Sequence, residues 1–261
     1  MFYSQAKIEN KTILIAGASS GIGRQVALLL SKHNNRLILS ARRKDPLEQL
    51  AKEVKANGSQ ALVLPCDALN KEQAHDVVAL AQKHFKQIDI ALLNVGDGPS
   101  FNMSHAQVDD ITHNMDLNYS TLVNFLVPLI AQMKQQKSGI IAHTNSLAGF
   151  LGLPMQGPYS ASKAAGRLLM DSCRIELKPF GIKFVSVYPG FVATDRVSSD
   201  GIPAPFEISE ETAAQHIIHA LSKQKSDYLF PFITGSLIRL ARILPKPIIN
   251  FLLAKSVPNN Y

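Results

Sequence analysis

The chain has 261 residues, 46% hydrophobic and 18% charged, which excludes a disordered polymer and supplies a sizeable core. Lys/Arg outnumber Asp/Glu by 27 to 20, a formal charge of +7 that suits a phosphorylated ligand, a nucleic acid or a membrane surface without choosing among them. Two cysteines, Cys66 and Cys173, cannot make a disulfide framework, so a reduced, cytoplasmic setting is expected.

Residues 1–10 are polar and are expected to carry no secretory signal. Residues 12–16 are a short aliphatic run that ends in glycines and reads as a buried strand. Ile22, Val26, Leu29 and Leu30 follow at helical spacing. Residues 37–40 predict a second strand. Asp45-Pro46-Leu47-Glu48 then predicts a helix start, with Asp45 as N-cap, Pro46 at the first helical position and Glu48 as capping-box partner. Residues 61–64 predict a third strand, and Asn70, three residues before Gln73, can cap the next helix. Residues 88–93 predict a fourth strand, and residues 104–135 are mostly helical with a kink expected at Pro128. A fifth strand is expected at 139–142, a helix at 160–179 and a sixth strand at 183–188. Ser209 opens a helix to about residue 223, and residues 227–230 read as a seventh strand. Aliphatic strands alternating with helices predict an α/β fold, a doubly wound parallel sheet with helices on both faces. We expect one domain over residues 1–261, with an apolar, basic helical extension at 233–256.

The first strand runs into Gly17-Ala18-Ser19-Ser20-Gly21-Ile22-Gly23. Glycines at a strand-to-helix turn allow close backbone approach, and the helix N-terminus offers free N–H groups to a phosphate. The second strand ends in Ser40-Ala41-Arg42-Arg43-Lys44, with cations and no acid where a dinucleotide fold meets the adenosine ribose. Arg42, with Arg43 beside it, therefore points to the 2′-phosphate of NADP(H) in preference to NAD(H). A solvated basic turn is the plainer alternative.

Tyr159 and Lys163 stand at i and i+4, on one helical face. A free tyrosine, with a pKa of about 10, exchanges protons poorly at neutral pH, and a neighbouring ammonium lowers that value. Ser146 lies just past the fifth strand, where its hydroxyl could hold a carbonyl oxygen. Such a Tyr/Lys pair alone is usually an ordinary surface pair; its value lies in following the glycine loop, the arginines and the serine in this order.

With these motifs over about residues 10–230, the chain resembles the short, single-domain branch of the short-chain dehydrogenase/reductase family. The resemblance implies a Rossmann-type sheet of about seven strands and NAD(P)-linked carbonyl/alcohol chemistry. It implies that Tyr159 is the general acid in reduction, Lys163 its activator and a ribose ligand, and Ser146 the group orienting the carbonyl. Asn118 matches the asparagine that holds a water of the proton relay. The cofactor contacts implied are Gly17, Ser19, Ser20, Gly21, Ile22, Gly23, Arg42, Arg43, Asp67, Asn94, Gly96, Pro189, Gly190, Val192 and Thr194, besides Tyr159 and Lys163. Asp67 would meet the adenine amine, and Val192 and Thr194 the nicotinamide carboxamide. Ala16 stands where relatives carry Thr, Leu93-Asn94-Val95-Gly96 replaces Asn-Asn-Ala-Gly, and His143 and Asn145 replace Asn and Ser. These departures are expected to loosen polar links around the sheet without removing a catalytic group. No metal site is expected among the scattered histidines.

Apolar residues in the loops beyond the strand ends (Phe101, Met103, Phe150, Leu151, Leu153, Met155, Phe191, Val197, Ile202 and Phe206) suggest a pocket for a bulky steroid-, retinoid- or lipid-like carbonyl or alcohol. The same residues could equally pack a lid. A 3-oxoacyl reductase is the alternative enzyme, and a non-catalytic dinucleotide-binding regulator the alternative of another class. Residues 212–261 hold six Lys/Arg and one Asp, so the positive excess is not a diffuse nucleic-acid footprint. The apolar extension reads first as cover for the substrate site, second as a subunit interface and third as a membrane-surface helix pair, which leaves peripheral membrane contact open. The apolar stretch 228–238, interrupted by Pro231, is too short to span a bilayer. The resemblance further implies a homodimer or homotetramer.

Overall fold

The computed structural model describes residues 7–194, 204–255 and 257. Seven strands make one parallel sheet: β1 (Thr12–Ala16), β2 (Arg36–Ser40), β3 (Gln60–Val63), β4 (Ile90–Leu93), β5 (Gly139–Thr144), β6 (Ile182–Pro189) and, last in chain order, β9 (Asp227–Phe230). Their spatial order is β3-β2-β1-β4-β5-β6-β9. The chain thus builds outward from β1 to β3 and returns to place β4 against β1, with Ala16 level with Leu93. The crevice at that reversal lies between two loops, 17–23 and 94–98, which is where open α/β sheets bind ligands. Two short strands, β7 (Val192–Ala193) and β8 (Ile208–Ser209), pair separately.

Alternate residues along each strand feed opposite faces. Ile13, Ile15, Leu37 and Leu39 pack against α1 (Gly21–Leu30) and α2 (Lys44–Ala56), and against α7 (Glu210–Ser222) through Ala213 and Ile217. Leu14, Ile38 and Ala91 pack against α3 (Lys71–Phe85), α5 (Thr121–Gln136) and α6 (Gly157–Glu176) through Val77, Phe125 and Met170. Ile13, Leu14 and Ile15 are wholly buried, as expected of a strand covered on both sides.

Asn70 caps α3 as expected, accepting from the Gln73 amide at 2.9 Å, and Ser209 caps α7 through the Thr212 amide at 3.1 Å. Asp45 is not an N-cap. Arg43 takes that place in extended conformation, the helix begins at Lys44, and Asp45 falls in its first turn beside the positive helix end. Pro46 then occupies the third helical position, where a missing N–H costs no intrahelical bond. Pro128 lies inside α5, which runs unbroken through it. Within the region 104–135, Ala106 and Gln107 are extended and α4 (Val108–Met115) starts only after them, and a single π-helical turn, Asp116–Ser120, joins α4 to α5. One extra residue in a turn leaves little mark on apolar periodicity. The helix expected from residue 160 starts earlier, at Gly157, which places Tyr159 in its first turn. The extension forms α8 (Phe232–Ala241) and α9 (Lys246–Ala254), separated near Pro245, which cannot continue a helix.

Candidate active site

A cavity of about 720 Å³ opens at the carboxyl ends of the central strands. Its floor is the loop after β1. Gly17 has φ +87°, a left-handed conformation, and a Cβ there would sit 3.1 Å from the Asn94 carbonyl. A side chain on Gly23 would collide with the Gly17 carbonyl. The loop can therefore close only with glycine, leaving the α1 N-terminus open to the cavity. Ser20, the residue before α1, makes no side-chain capping bond. Ser19, Ser20, Gly21 and Ile22 line the floor, while Gly23 packs beneath it. Arg42 and Arg43 line the adjoining wall, and the Arg43 guanidinium reaches the Ser19 hydroxyl at 3.4 Å. Asp67 follows on the same side. Beside it, burial pushes the Cys66 thiol up to about 11, so it stays protonated near neutrality.

The loop after β4 comes next. The side-chain amide of Asn118, in the π-helical turn, donates to the Asp97 carbonyl at 2.7 Å, and its oxygen accepts from the Asp97 amide at 3.1 Å. A Cβ on Gly96 would stand 2.6 Å from that oxygen and 3.0 Å from Lys163 Nζ. Asn118 therefore clamps the loop over the lysine. The Asn94 side-chain oxygen is buried without a hydrogen-bond partner among the described residues.

Lys163 is 3% exposed, and its ammonium donates to the Thr144 carbonyl at 3.1 Å. Burial lowers its pKa to about 8, and the Asp97 carboxylate holds it from falling further. Lys163 Nζ lies 5.5 Å from the centre of the Tyr159 ring. Tyr159 is backed by Gly98, where a Cβ would lie 2.6 Å from the ring. Ser146 ends the strand-to-turn connection after β5, and its hydroxyl oxygen accepts from the Ala148 amide at 3.1 Å. Asn145 ties the two sides together: its oxygen accepts from the Ser146 amide at 2.8 Å, and its amide donates to the Lys163 carbonyl at 2.9 Å.

The structure brings Ser146, Tyr159 and Lys163 to one cavity with Gly17, Arg42, Asp67, Asn94, Gly96, Pro189, Gly190, Val192 and Thr194. Asn118 lies just behind the wall. Asp97 was not singled out from sequence, although a carboxylate directly after Asn94-Val95-Gly96 was the available signal. Asn145 was noted only as a departure from the family pattern, with no role assigned to it. Glu210 also reaches the floor, its carboxylate oxygen 3.6 Å from the place a Gly21 Cβ would occupy. Its sequence signature was only that of a helix first turn.

Of the loop residues expected around substrate, Leu153 and Phe191 line the cavity. Phe101, Met103, Phe150, Leu151, Met155 and Phe206 do not, and Val197 and Ile202 lie outside the described residues. Phe150 instead leans on Tyr188, with ring centres 4.7 Å apart, between the guanidinium groups of Arg167 and Arg242. Thr234, Leu237 and Ile238 of α8 supply apolar wall that sequence reasoning had not assigned individually. At the departures from the family pattern, Ala16, Leu93 and Val95 surround a small gap with Leu122, Phe125 and His143. Burial holds the His143 ring well below the usual histidine range, and its Nε2 has no partner among the described residues. Apolar packing thus replaces polar links there. Among the described residues no cluster of potential metal ligands occurs.

A parallel sheet in this order, with a glycine-floored crevice at its switch point, defines a Rossmann-type nucleotide-binding fold. The chain belongs to the short-chain dehydrogenase family of oxidoreductases, whose model matches residues 11–201. The uncharacterized oxidoreductase Lmo0432 of Listeria monocytogenes is 31% identical over 240 residues, 87% of this chain and 97% of that protein. A short-chain type dehydrogenase/reductase from Mycobacterium marinum superposes with a TM-score of 0.77 at 27% identity, covering 87% of this chain and 95% of that one. A 7α-hydroxysteroid dehydrogenase shares the fold, with a TM-score of 0.80 at 20% identity over 88% of this chain and 96% of that one.

Proposed function

We propose that this protein is an NADPH-dependent oxidoreductase acting between a carbonyl group and a secondary alcohol on a bulky, apolar substrate. The observation that carries this reading is the convergence of Ser146, Tyr159 and Lys163 on the cavity that the glycine loop and Arg42/Arg43 also line. The open α1 N-terminus and Ser20 suit a pyrophosphate, and Arg43, which reaches Ser19, with Arg42 on the same wall suits a further phosphate. Asp67 would hold the adenine amine, Val192 and Thr194 the carboxamide, and Lys163 the nicotinamide ribose. When bound, the dinucleotide supplies the hydride in reduction and accepts it in oxidation.

The chain's own groups do the rest. Ser146 donates to the carbonyl oxygen, and Tyr159 delivers the proton to that oxygen as it becomes an alcohol. The Lys163 ammonium stabilises the phenolate left behind. The apolar wall of Leu153, Phe191, Leu237 and Ile238 favours a substrate with a large hydrocarbon surface. We read the described sheet, its helices and the extension as a single domain, active as a homo-oligomer.

A panel of large apolar and small polar ketones and alcohols, assayed with NADPH and NADH side by side, tests both parts. Higher kcat/KM for the large ketones with NADPH is expected. Preference for small polar substrates overturns the substrate class, and preference for NADH overturns the cofactor assignment.

A further inference from the structure

Helices α8 and α9 are apolar yet poorly covered. Phe232 is 80% exposed and Phe251 66%, and Ile243, in the turn joining the two helices, is 79% exposed. Gly235 is the only buried residue of α8, and α9 buries none. An amphipathic helix on a globular domain turns its apolar stripe inward. Here much of that surface faces outward, and an exposed apolar patch of this kind marks a contact surface.

Charge identifies the contact. Residues 228–261 contain Arg239, Arg242, Lys246 and Lys255 and no Asp or Glu. None of the four has a carboxylate partner among the described residues. Lys255 lies 5.0 Å over the ring of the exposed Phe251, so a cation stands directly beside exposed aromatic surface. A second copy meeting this face about a two-fold axis would oppose four cations with four more and offer no acid to pair them. The ten residues of α8 and nine of α9 each fall well short of the ~20 needed to cross a bilayer.

We propose that α8 and α9 dock side-on onto the surface of an anionic phospholipid bilayer. Phe232, Ile243 and Phe251 enter the boundary between headgroups and acyl chains, while Arg239, Lys246 and Lys255 meet the lipid phosphates. Leu237 belongs both to the exposed face and to the cavity wall, so docking sets the cavity beside the lipid phase. The surface stands on exposure and charge and does not depend on the redox reading.

The test is flotation of the full chain with vesicles of phosphatidylcholine alone, or of phosphatidylcholine mixed with phosphatidylglycerol. Binding to the mixed vesicles is expected, with little to phosphatidylcholine alone and a decline as salt rises. Arg239→Gln/Lys246→Gln weakens binding to mixed vesicles by about thirtyfold. Ile243→Asp/Phe251→Asp abolishes it. Dinucleotide binding and the melting temperature monitor the fold of both variants; should the aspartate pair fail to fold, the glutamine pair, on exposed cations, carries the test. The proposal fails if the native chain does not float with mixed vesicles, or if the folded variants float as it does. A dimer in sedimentation equilibrium that the aspartate pair splits, in protein that does not float, assigns the face to a second copy and overturns it.

Discussion

The side-chain amide of Asn145 donates to the backbone carbonyl of Lys163 at 2.9 Å, joining the end of β5 to the first half of α6. The same side chain accepts from the Ser146 amide, so one residue sets the serine against the lysine. Asn145 is 2% exposed, and its loss would take away the partner of the Ser146 amide and the second hydrogen bond on the Lys163 carbonyl, which also serves its own helix. Asn145→Ala is expected to cost about 1–3 kcal/mol in urea unfolding. It should also lower kcat about tenfold or more, with little change in dinucleotide affinity. Unchanged kcat would mean that Ser146 and Lys163 keep their register without the clamp.

Tyr159→Phe removes the proposed acid and keeps the ring against Gly98. Turnover should fall by about 10²–10⁴-fold while NADPH still binds. Lys163→Met should lose both, because the proposed ribose contact goes with the ammonium. Titration of NADPH fluorescence beside steady-state rates separates the two outcomes, and retained turnover in Tyr159→Phe would point to a non-catalytic dinucleotide binder whose reaction lies elsewhere.

Arg42→Ala and Arg43→Ala address cofactor choice. Loss of one charge-assisted contact to a phosphate, about 1.5–3 kcal/mol, should raise the KM for NADPH roughly 10–100-fold and leave that for NADH nearly unchanged. Equal effects on both cofactors would place these arginines away from the 2′-phosphate.

The buried lysine sets a pH dependence. Lys163 falls from 10.5 to about 8 in the folded chain, so between these values the unfolded state binds more protons and stability rises with pH. Below about pH 8 the ammonium is charged in both states, and the penalty of burying it, about 3 kcal/mol, is fully present. The unfolding free energy of the native chain relative to Lys163→Met should therefore climb by about 2–3 kcal/mol from about pH 7 to about pH 10. Urea titrations at the two pH values measure it; a flat difference would mean that the ammonium is better solvated than its burial indicates. Carbonyl reduction should decline above about pH 8 as the charge is lost.

Phe150 and Leu153 separate packing from substrate contact. Leu153→Ala, in the cavity wall, should change the kcat/KM ratio between large and small ketones by about tenfold. Phe150→Leu, behind the wall against Tyr188, should lower the melting temperature and leave that ratio alone.

What the sequence determined by itself was local. Aliphatic runs set the strands to within a few residues, because a strand covered on both faces must be apolar throughout. Gly17, Gly21 and Gly23 marked the strand-to-helix turn, which closes only with glycine at Gly17 and Gly23, and Tyr159 and Lys163 shared a helix face by spacing alone. The prolines near residue 245 divided the extension into two helices. Tertiary structure decided what depends on contacts between distant segments. Asp97 beside Lys163, the Asn118 clamp on the loop after β4 and the Asn145 bond to α6 each join residues well separated along the chain, and such contacts leave no periodic trace. The placement of Phe150 outside the cavity and of Leu237 within its wall was likewise illegible, since an apolar loop residue looks the same whether it packs a neighbour or faces a ligand. The exposed face of α8 and α9 emerged only once the sheet was closed, when an apolar, basic segment that could have covered the site was found to cover it with one helix and leave the other bare.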